Sequence, residues 1–280
     1  MKKIRYIPLT ATPGKQSETY REILPRSPGL TGIVRCFWGS AGPYRKTWQK
    51  SVKTLVVPDT CVDIIYEIDH TAGTVTGRFC GINDSSFEAR DGGAAGHVFS
   101  VFGIRFYAWA AAAFSEDSLK GTVNGCYDVR SRFCRLDRML GQRLFETDSL
   151  EERSLLAESL LLGQTVYPRQ SQVVEQAVEQ ILFQRGAISA GRLARECFIS
   201  SRQMERLFHE YIGITPKKLC GLVRYQFLWN EIIRTPDFRV LDGVSRYGYT
   251  DQSHLMREFR RYHTMDIQMA ARYARTGETG

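Results

Sequence analysis

Two ten-residue stretches of this chain, RQMERLFHEY (202–211) and SHLMREFRRY (253–262), align at an offset of 51 residues. Met204 stands against Leu255, Arg206 against Arg257, Phe208 against Phe259 and Tyr211 against Tyr262. Leu255, Phe259 and Tyr262 fall at i, i+4 and i+7, the spacing that lines one face of a helix. Upstream, Leu193 matches Val244. Ser200 and Asp251 take the same place before each second helix, where a side-chain oxygen caps the first free amides. The chain therefore holds two copies of one unit, a short helix, a turn and a second helix, with the size and pattern of a helix-turn-helix.

The stripe on each second helix is core, so function falls to the opposite face. In the first copy that face carries Arg202, Glu205 and Arg206, and in the second Gln252, Ser253, Met256 and Arg257. These types suit base edges: arginine pairs bidentately with guanine, glutamine with adenine, and methionine meets a thymine methyl. Lys217, Lys218, Arg260 and Arg261 are candidates for phosphate contacts, which give affinity without sequence information. Between the copies runs TPKKLCGLVRYQFLWNEIIRTPDF (215–238), where Leu219, Leu222, Val223, Phe227, Trp229 and Ile232 make a broad apolar surface and Pro236 stops the helix. A long helix here is a stiff spacer that would hold both reading helices on one side of a duplex, roughly 34 Å apart.

The first third of the chain reads differently. Short strands are expected at 32–38, 53–57, 62–68, 73–79 and 97–107, with a turn at Pro58-Asp59 and a loop at GGAAG (92–96). Strands at this spacing predict a sandwich or barrel. From about residue 115 the pattern turns helical, with amphipathic helices over 131–146 and 149–162 and another over 170–184. A boundary near Tyr167 divides a β-rich domain, 1–167, from an all-α domain, 168–280, whose two units span about 188–211 and 240–262. The formal charge is +8, which favours a polyanionic partner only as a prior. The part from Pro168 on has 17 Lys and Arg against 12 Asp and Glu.

Residues 171–275 resemble the AraC/XylS family of bacterial transcription regulators. ISAGRLARECFISSRQMERLFHEYIGITPKKL (188–219) is similar to the family's first helix-turn-helix, including Gly213, Thr215 and Pro216 after the reading helix. GYTDQSHLMREFRRY (248–262) is similar to its second. The resemblance implies a seven-helix DNA-binding domain with two helices in successive major grooves, and the same base-facing sets. Phe198 stands where a turn glycine is common, Val244 where alanine is usual, and Thr264 and Ile267 where the family has glycine and proline. LTGIVRCFWG (30–39), VVPDTCVDIIYEI (56–68) and FGIRFYAWAAAAF (102–114) resemble the β-rich front domain of a subgroup. That resemblance implies a cupin-like fold and a role in effector sensing or dimerisation.

Other chemistries find less support. His70, His97, His209, His254 and His263 show no ligand spacing, and no C-x-x-C occurs, so neither a metal nor a cofactor is expected. No nucleophile motif is present, so no catalytic residue is assigned and the chain is not read as an enzyme. MKKIRYIPLT lacks the apolar run of a signal peptide, and SLLAESLLLG (154–163) is too short and polar to span a bilayer. The seven cysteines are expected to be reduced thiols in a cytoplasm. Five lie in the front region, where most read as small buried apolar residues. Trp38, Tyr66 and Phe106 are candidates for lining an apolar effector pocket.

The chain is thus expected to be a multidomain α and β protein: an effector-responsive transcription regulator that binds double-stranded DNA and touches RNA polymerase, with activation favoured over repression. Two units in one chain leave monomer and homodimer both open. A thiol-based redox or alkylation sensor acting through the same domain is the alternative, and a cupin-like enzyme fused to that domain a second.

Overall fold

The computed structural model describes residues 6–12, 20–45, 54–89, 96–163 and 171–276. The predicted boundary at Tyr167 and most of the loop at 92–96 lie outside them. Among the described residues, ten strands form two sheets. They are β1 (Ala11–Thr12), β2 (Arg21–Ile23), β3 (Val34–Gly39), β4 (Tyr44–Arg45), β5 (Thr54–Val56), β6 (Cys61–Asp69), β7 (Thr74–Cys80), β8 (Phe87–Ala89), β9 (Val98–Tyr107) and β10 (Cys126–Asp128). The larger sheet runs β10-β7-β6-β9-β3-β2, with β4 also on β9, and the smaller runs β1-β5-β8. All recorded pairings are antiparallel. The predicted strands are all present. β1, β2, β4, β8 and β10 are not among them, because strands of two or three residues carry no period of their own.

Register decides what each face of the sheet carries. Phe37, Ile104, Ile64 and Phe79 stand in one cross-strand row. That face packs under the helices, with Phe79 against Phe133 at 4.9 Å and Phe106 against Phe114 at 5.2 Å between ring centroids. A bulge between Val34 and Cys36 reverses the side-chain parity of β3, so Trp38 lies opposite Gly103 on the other face. There Trp38 Nε1 donates to Asp63 at 2.8 Å, and buried Arg105 donates to the same carboxylate at 3.0 Å.

The described residues also form ten α-helices: α1 (Ala108–Ala111), α2 (Arg130–Leu140), α3 (Leu150–Leu162), α4 (Gln172–Phe183), α5 (Ala190–Glu196), α6 (Ser201–Tyr211), α7 (Pro216–Arg234), α8 (Val240–Tyr247), α9 (Gln252–His263) and α10 (Ile267–Thr276). The predicted helix over 131–146 is α2 followed by a 3-10 turn, Gln142–Glu146. The sequence explains the boundaries of the C-terminal set. Ser200 accepts from Gln203 N, Asp251 from His254 N and Thr215 from Lys218 N. Each cap fills one of the four amide donors left free at a helix start. Pro216 opens α7 at the position where proline has no amide to waste, and α7 ends two residues before Pro236.

The second helices bury the predicted stripes: Met204 and Phe208 in α6, and Leu255, Phe259 and Tyr262 in α9. Both pack on α7, whose Leu219, Leu222, Val223 and Trp229 are fully buried. Arg224 of α7 grips Glu258 of α9 bidentately, at 2.9 and 2.6 Å, and lies 4.5 Å over the Tyr249 ring. Such a fork fixes orientation as well as adding energy.

Helix α7 is more than a spacer, because the front domain docks along it. Gln226, fully buried, accepts from Leu9 N at 2.8 Å and donates to the carbonyls of Leu9 at 2.8 Å and Pro58 at 2.6 Å. Tyr6 packs on Phe227 at 5.3 Å. A buried amide with its hydrogen bonds filled this way specifies one docking pose.

Candidate nucleic-acid interface

Helices α6 and α9 each present one face to solvent. Arg202, Glu205 and Arg206 are exposed on α6, and Gln252, Ser253 and Arg257 on α9, with Met256 half-buried beside them. Met256, Arg257, Arg260 and Arg261 line a shallow groove of about 360 Å³. Three cations and one soft apolar side chain around a groove suit phosphate together with an apolar base edge. Lys217 is exposed as well. Lys218 is not free: its Nζ lies 2.6 Å from Asp84 Oδ2 of the front domain. Partial burial pushes the Asp84 carboxyl up, but bonds from Lys218 and Asn124 outweigh it and hold the carboxyl below its ordinary range.

Two of the four residues that depart from the resembled pattern, Phe198 and Thr264, sit where backbone conformation is demanding, while Val244 and Ile267 lie in helices. Phe198 has φ 55° and is 94 % exposed, and Thr264 has φ 62° at the end of α9. A left-handed residue other than glycine costs roughly 1–2 kcal/mol, so both turns form against local preference. Gly213, φ 88°, is different: a Cβ there would sit 2.8 Å from the Leu119 carbonyl of the front domain.

Three features of the site were not read from the sequence. Ser86 donates through its amide and its hydroxyl to the Tyr262 carbonyl, both at 2.9 Å. Leu119 N donates to the Glu210 carbonyl at 3.0 Å. His263, at the end of α9, is fully buried, stacks on Phe259 at 5.0 Å and shares a 2.8 Å hydrogen bond with Tyr225. A histidine following a helical stripe is the only signal for the last, and the first two left none.

The expected effector pocket does not come together. Tyr66 and Phe106 are fully buried on the helix-covered face of the large sheet, whereas Trp38 lies on the opposite face across Gly103. The expectation of seven reduced thiols is also corrected, since Cys80 and Cys126 form a disulfide. Cys36, Cys61, Cys197 and Cys220 are buried free thiols. Burial pushes Cys36 and Cys220 up to about 12 and Cys61 well above its ordinary value, so they stay protonated and unreactive. Among the described residues, no group of three His, Cys, Asp or Glu side chains could hold a metal ion. No helix among them is long and apolar enough to cross a membrane.

Two capped helices, each buried by one stripe, each open and basic on the other face and joined by a shared central helix, define a double helix-turn-helix domain. Residues 193–268 match the family described as a helix-turn-helix domain, and residues 21–128 match a domain of unknown function, DUF6597. No curated protein sequence matches the chain. Among solved structures, it is similar to an AraC-type transcriptional regulator from Chromobacterium violaceum, at 19% identity over 38% of this chain and 95% of that one, TM-score 0.35. It is also similar to ToxT from Vibrio cholerae O395, at 10% identity over 85% of this chain and 98% of that one, TM-score 0.39. Unsaturated fatty acid-bound ToxT from Vibrio cholerae strain SCE256 is similar at 9% identity over 85% and 95%, TM-score 0.39. Residues 193–268 therefore carry a helix-turn-helix domain, a fold whose second helix is built to lie in a DNA major groove.

Proposed function

We propose that residues 168–280 read DNA through α6 and α9 in two successive major grooves, and that residues 1–167 respond to an effector or mediate pairing. The observation that carries this is the matched exposure of Arg202, Glu205 and Arg206 on one helix and Gln252, Ser253 and Arg257 on the other, with both stripes buried on the same α7. Helix α7 has 19 residues, which is about 28 Å at 1.5 Å per residue. That falls short of the roughly 34 Å between successive major grooves. The duplex bends to meet both helices, at a cost of order 1–6 kcal/mol. Activation through contact with promoter-bound RNA polymerase is the favoured outcome, and the docking of the front domain on Gln226 of α7 supplies the route from effector to reading helices. An effector acts by binding more tightly to one of two docking arrangements.

Selection from a random duplex pool with the full-length protein tests the two-helix reading. Two enriched blocks about ten base pairs apart support it; a single block or no enrichment opposes it. On the selected site, Arg257→Ala should cost about 1–3 kcal/mol and relax base preference at one position. Arg261→Ala should weaken selected and random duplexes alike and lower the salt slope by about 0.9. Equal losses on both duplexes for Arg257→Ala would remove it from the base-reading set.

A further inference from the structure

Two loops of the front domain reach the DNA-binding domain at the C-terminal ends of both reading helices. One loop, 81–86, follows β7; the other, 115–125, precedes β10. Ser86 holds the last turn of α9 through the Tyr262 carbonyl, and Leu119 holds the last turn of α6 through the Glu210 carbonyl. Asp84 takes Lys218 at the start of α7. The loops also hold each other. Asp84 N donates to Asn124 Oδ1 at 2.9 Å, Asn124 Nδ2 returns to Asp84 Oδ1 at 2.7 Å, and Asn124 N reaches the Ile82 carbonyl at 2.9 Å. Gly81 lies so close to the other loop that a Cβ would meet the Thr122 carbonyl oxygen at 2.1 Å. Together they make one clamp across both reading units.

Cys80 and Cys126 stand at its root, opposite each other in the β7–β10 ladder. All three residues of β10 are exposed at the edge of the sheet, and Cys80 is half-buried. A three-residue edge strand has few ladder bonds to hold it, so the covalent tie matters most there. The buried thiols elsewhere are out of reach of an oxidant, whereas this pair lies where a reductant can reach its disulfide.

We propose that Cys80 and Cys126 are a redox site controlling the clamp, and that the disulfide form binds duplex DNA more weakly than the dithiol form. The inference rests on α6 and α9 being the DNA-reading helices. Its direction follows from charge. The closed clamp spends Lys218 on Asp84 and sets the Asp84 carboxylate in the field of Arg261, a cation of the DNA groove. Opening it returns Lys218 to phosphate and withdraws a negative charge from the site. The chemistry is a two-electron exchange. A dithiol reductant gives two electrons and two protons, the S–S bond breaks, each sulfur leaves as a thiol, and the reductant closes its own disulfide. A peroxide reverses it: the two thiols lose two electrons and two protons, the S–S bond forms, the O–O bond breaks and two waters leave.

The test uses full-length protein, reduced with dithiothreitol or oxidised with hydrogen peroxide, and a duplex selected from a random pool under reducing conditions. Peptide mass spectrometry without reduction reports the Cys80–Cys126 link, and equilibrium binding is measured across salt. The reduced form should bind about three- to tenfold more tightly, with a slope of log K on log salt steeper by about 0.9, one phosphate contact. The Cys80→Ser, Cys126→Ser double variant should bind like the reduced protein and ignore oxidant. Asp84→Asn, which leaves both cysteines in place, should tighten binding by the oxidised form. A confirmed link with equal affinities in both states overturns the inference and leaves the DNA reading intact. Failure of peroxide to form the link overturns it also. No duplex binding in either state overturns the DNA reading, and the inference falls with it.

Discussion

Phe259→Ala is expected to lower the free energy of unfolding of the C-terminal domain by about 3–5 kcal/mol. The ring is fully buried, with Tyr225 at 5.7 Å, Trp229 at 5.8 Å and His263 at 5.0 Å from its centroid. These neighbours belong to α7 and to α9 itself, so the cavity opens where the second reading helix sits on its support. Urea unfolding followed by tryptophan fluorescence measures the loss, because Trp229 lies in the affected core. The same variant should lose affinity for selected and random duplexes together, unlike Arg257→Ala. A stability loss below about 1 kcal/mol would show that the α7–α9 contact is not a close-packed core.

The second large effect is a dependence on pH set by His263. Burial holds its imidazole down to about 4, from an ordinary value of 6.5. Tyr225 shares a hydrogen bond with Nδ1, and Nε2 has no hydrogen-bond partner among the described residues. The folded state therefore keeps this histidine neutral, while the unfolded chain protonates it near 6.5. Between those values the unfolded state binds the extra proton, so the contribution to stability is complete above pH 6.5 and is lost as pH falls toward 4. The gap corresponds to about 3 kcal/mol. From pH 7 to pH 4.5 the wild-type domain should lose roughly 2–3 kcal/mol more than His263→Phe, whose ring can occupy the same stack between Trp229 and Phe259. Equal losses in the two proteins would place the acid sensitivity elsewhere.

On the proposed reading, stability and recognition lie on different faces of the same helices. Met204, Phe208, Leu255 and Phe259 face α7, while Arg202, Arg206 and Arg257 face water. This separation lets Arg257→Ala probe recognition without opening a cavity. It also explains why Arg224 and Glu258 are paired bidentately beneath the exposed arginines: the pair sets the angle at which α9 presents its face.

The duplicated unit was legible in the chain itself. Helical period, capping side chains and the proline after α7 are local properties, and each acts within a few residues of the one that carries it. The exposed sets on α6 and α9 follow from the same periodicity once the stripe is known. The positions of β3, β5, β6, β7 and β9 were legible for a similar reason, through runs of β-branched and aromatic residues between turn signals.

What the chain alone did not settle depends on partners far apart in sequence. The parity of β3 turns on one bulge, and that bulge puts Trp38 on the face opposite Tyr66 and Phe106. Cys80 and Cys126 are separated by 46 residues and meet only because β10 adds to the edge of β7. Lys218 reads as a free cation until Asp84, 134 residues away, is brought beside it. Gln226 reads as one polar residue on an apolar helix until the front domain's carbonyls surround it. Sequence by itself determined two helix-turn-helix units and the side chains they expose, because secondary structure and its amphipathic face are written in local spacing. Only the tertiary structure decided how the front domain grips those units, because register, long-range pairing and burial arise when distant segments pack.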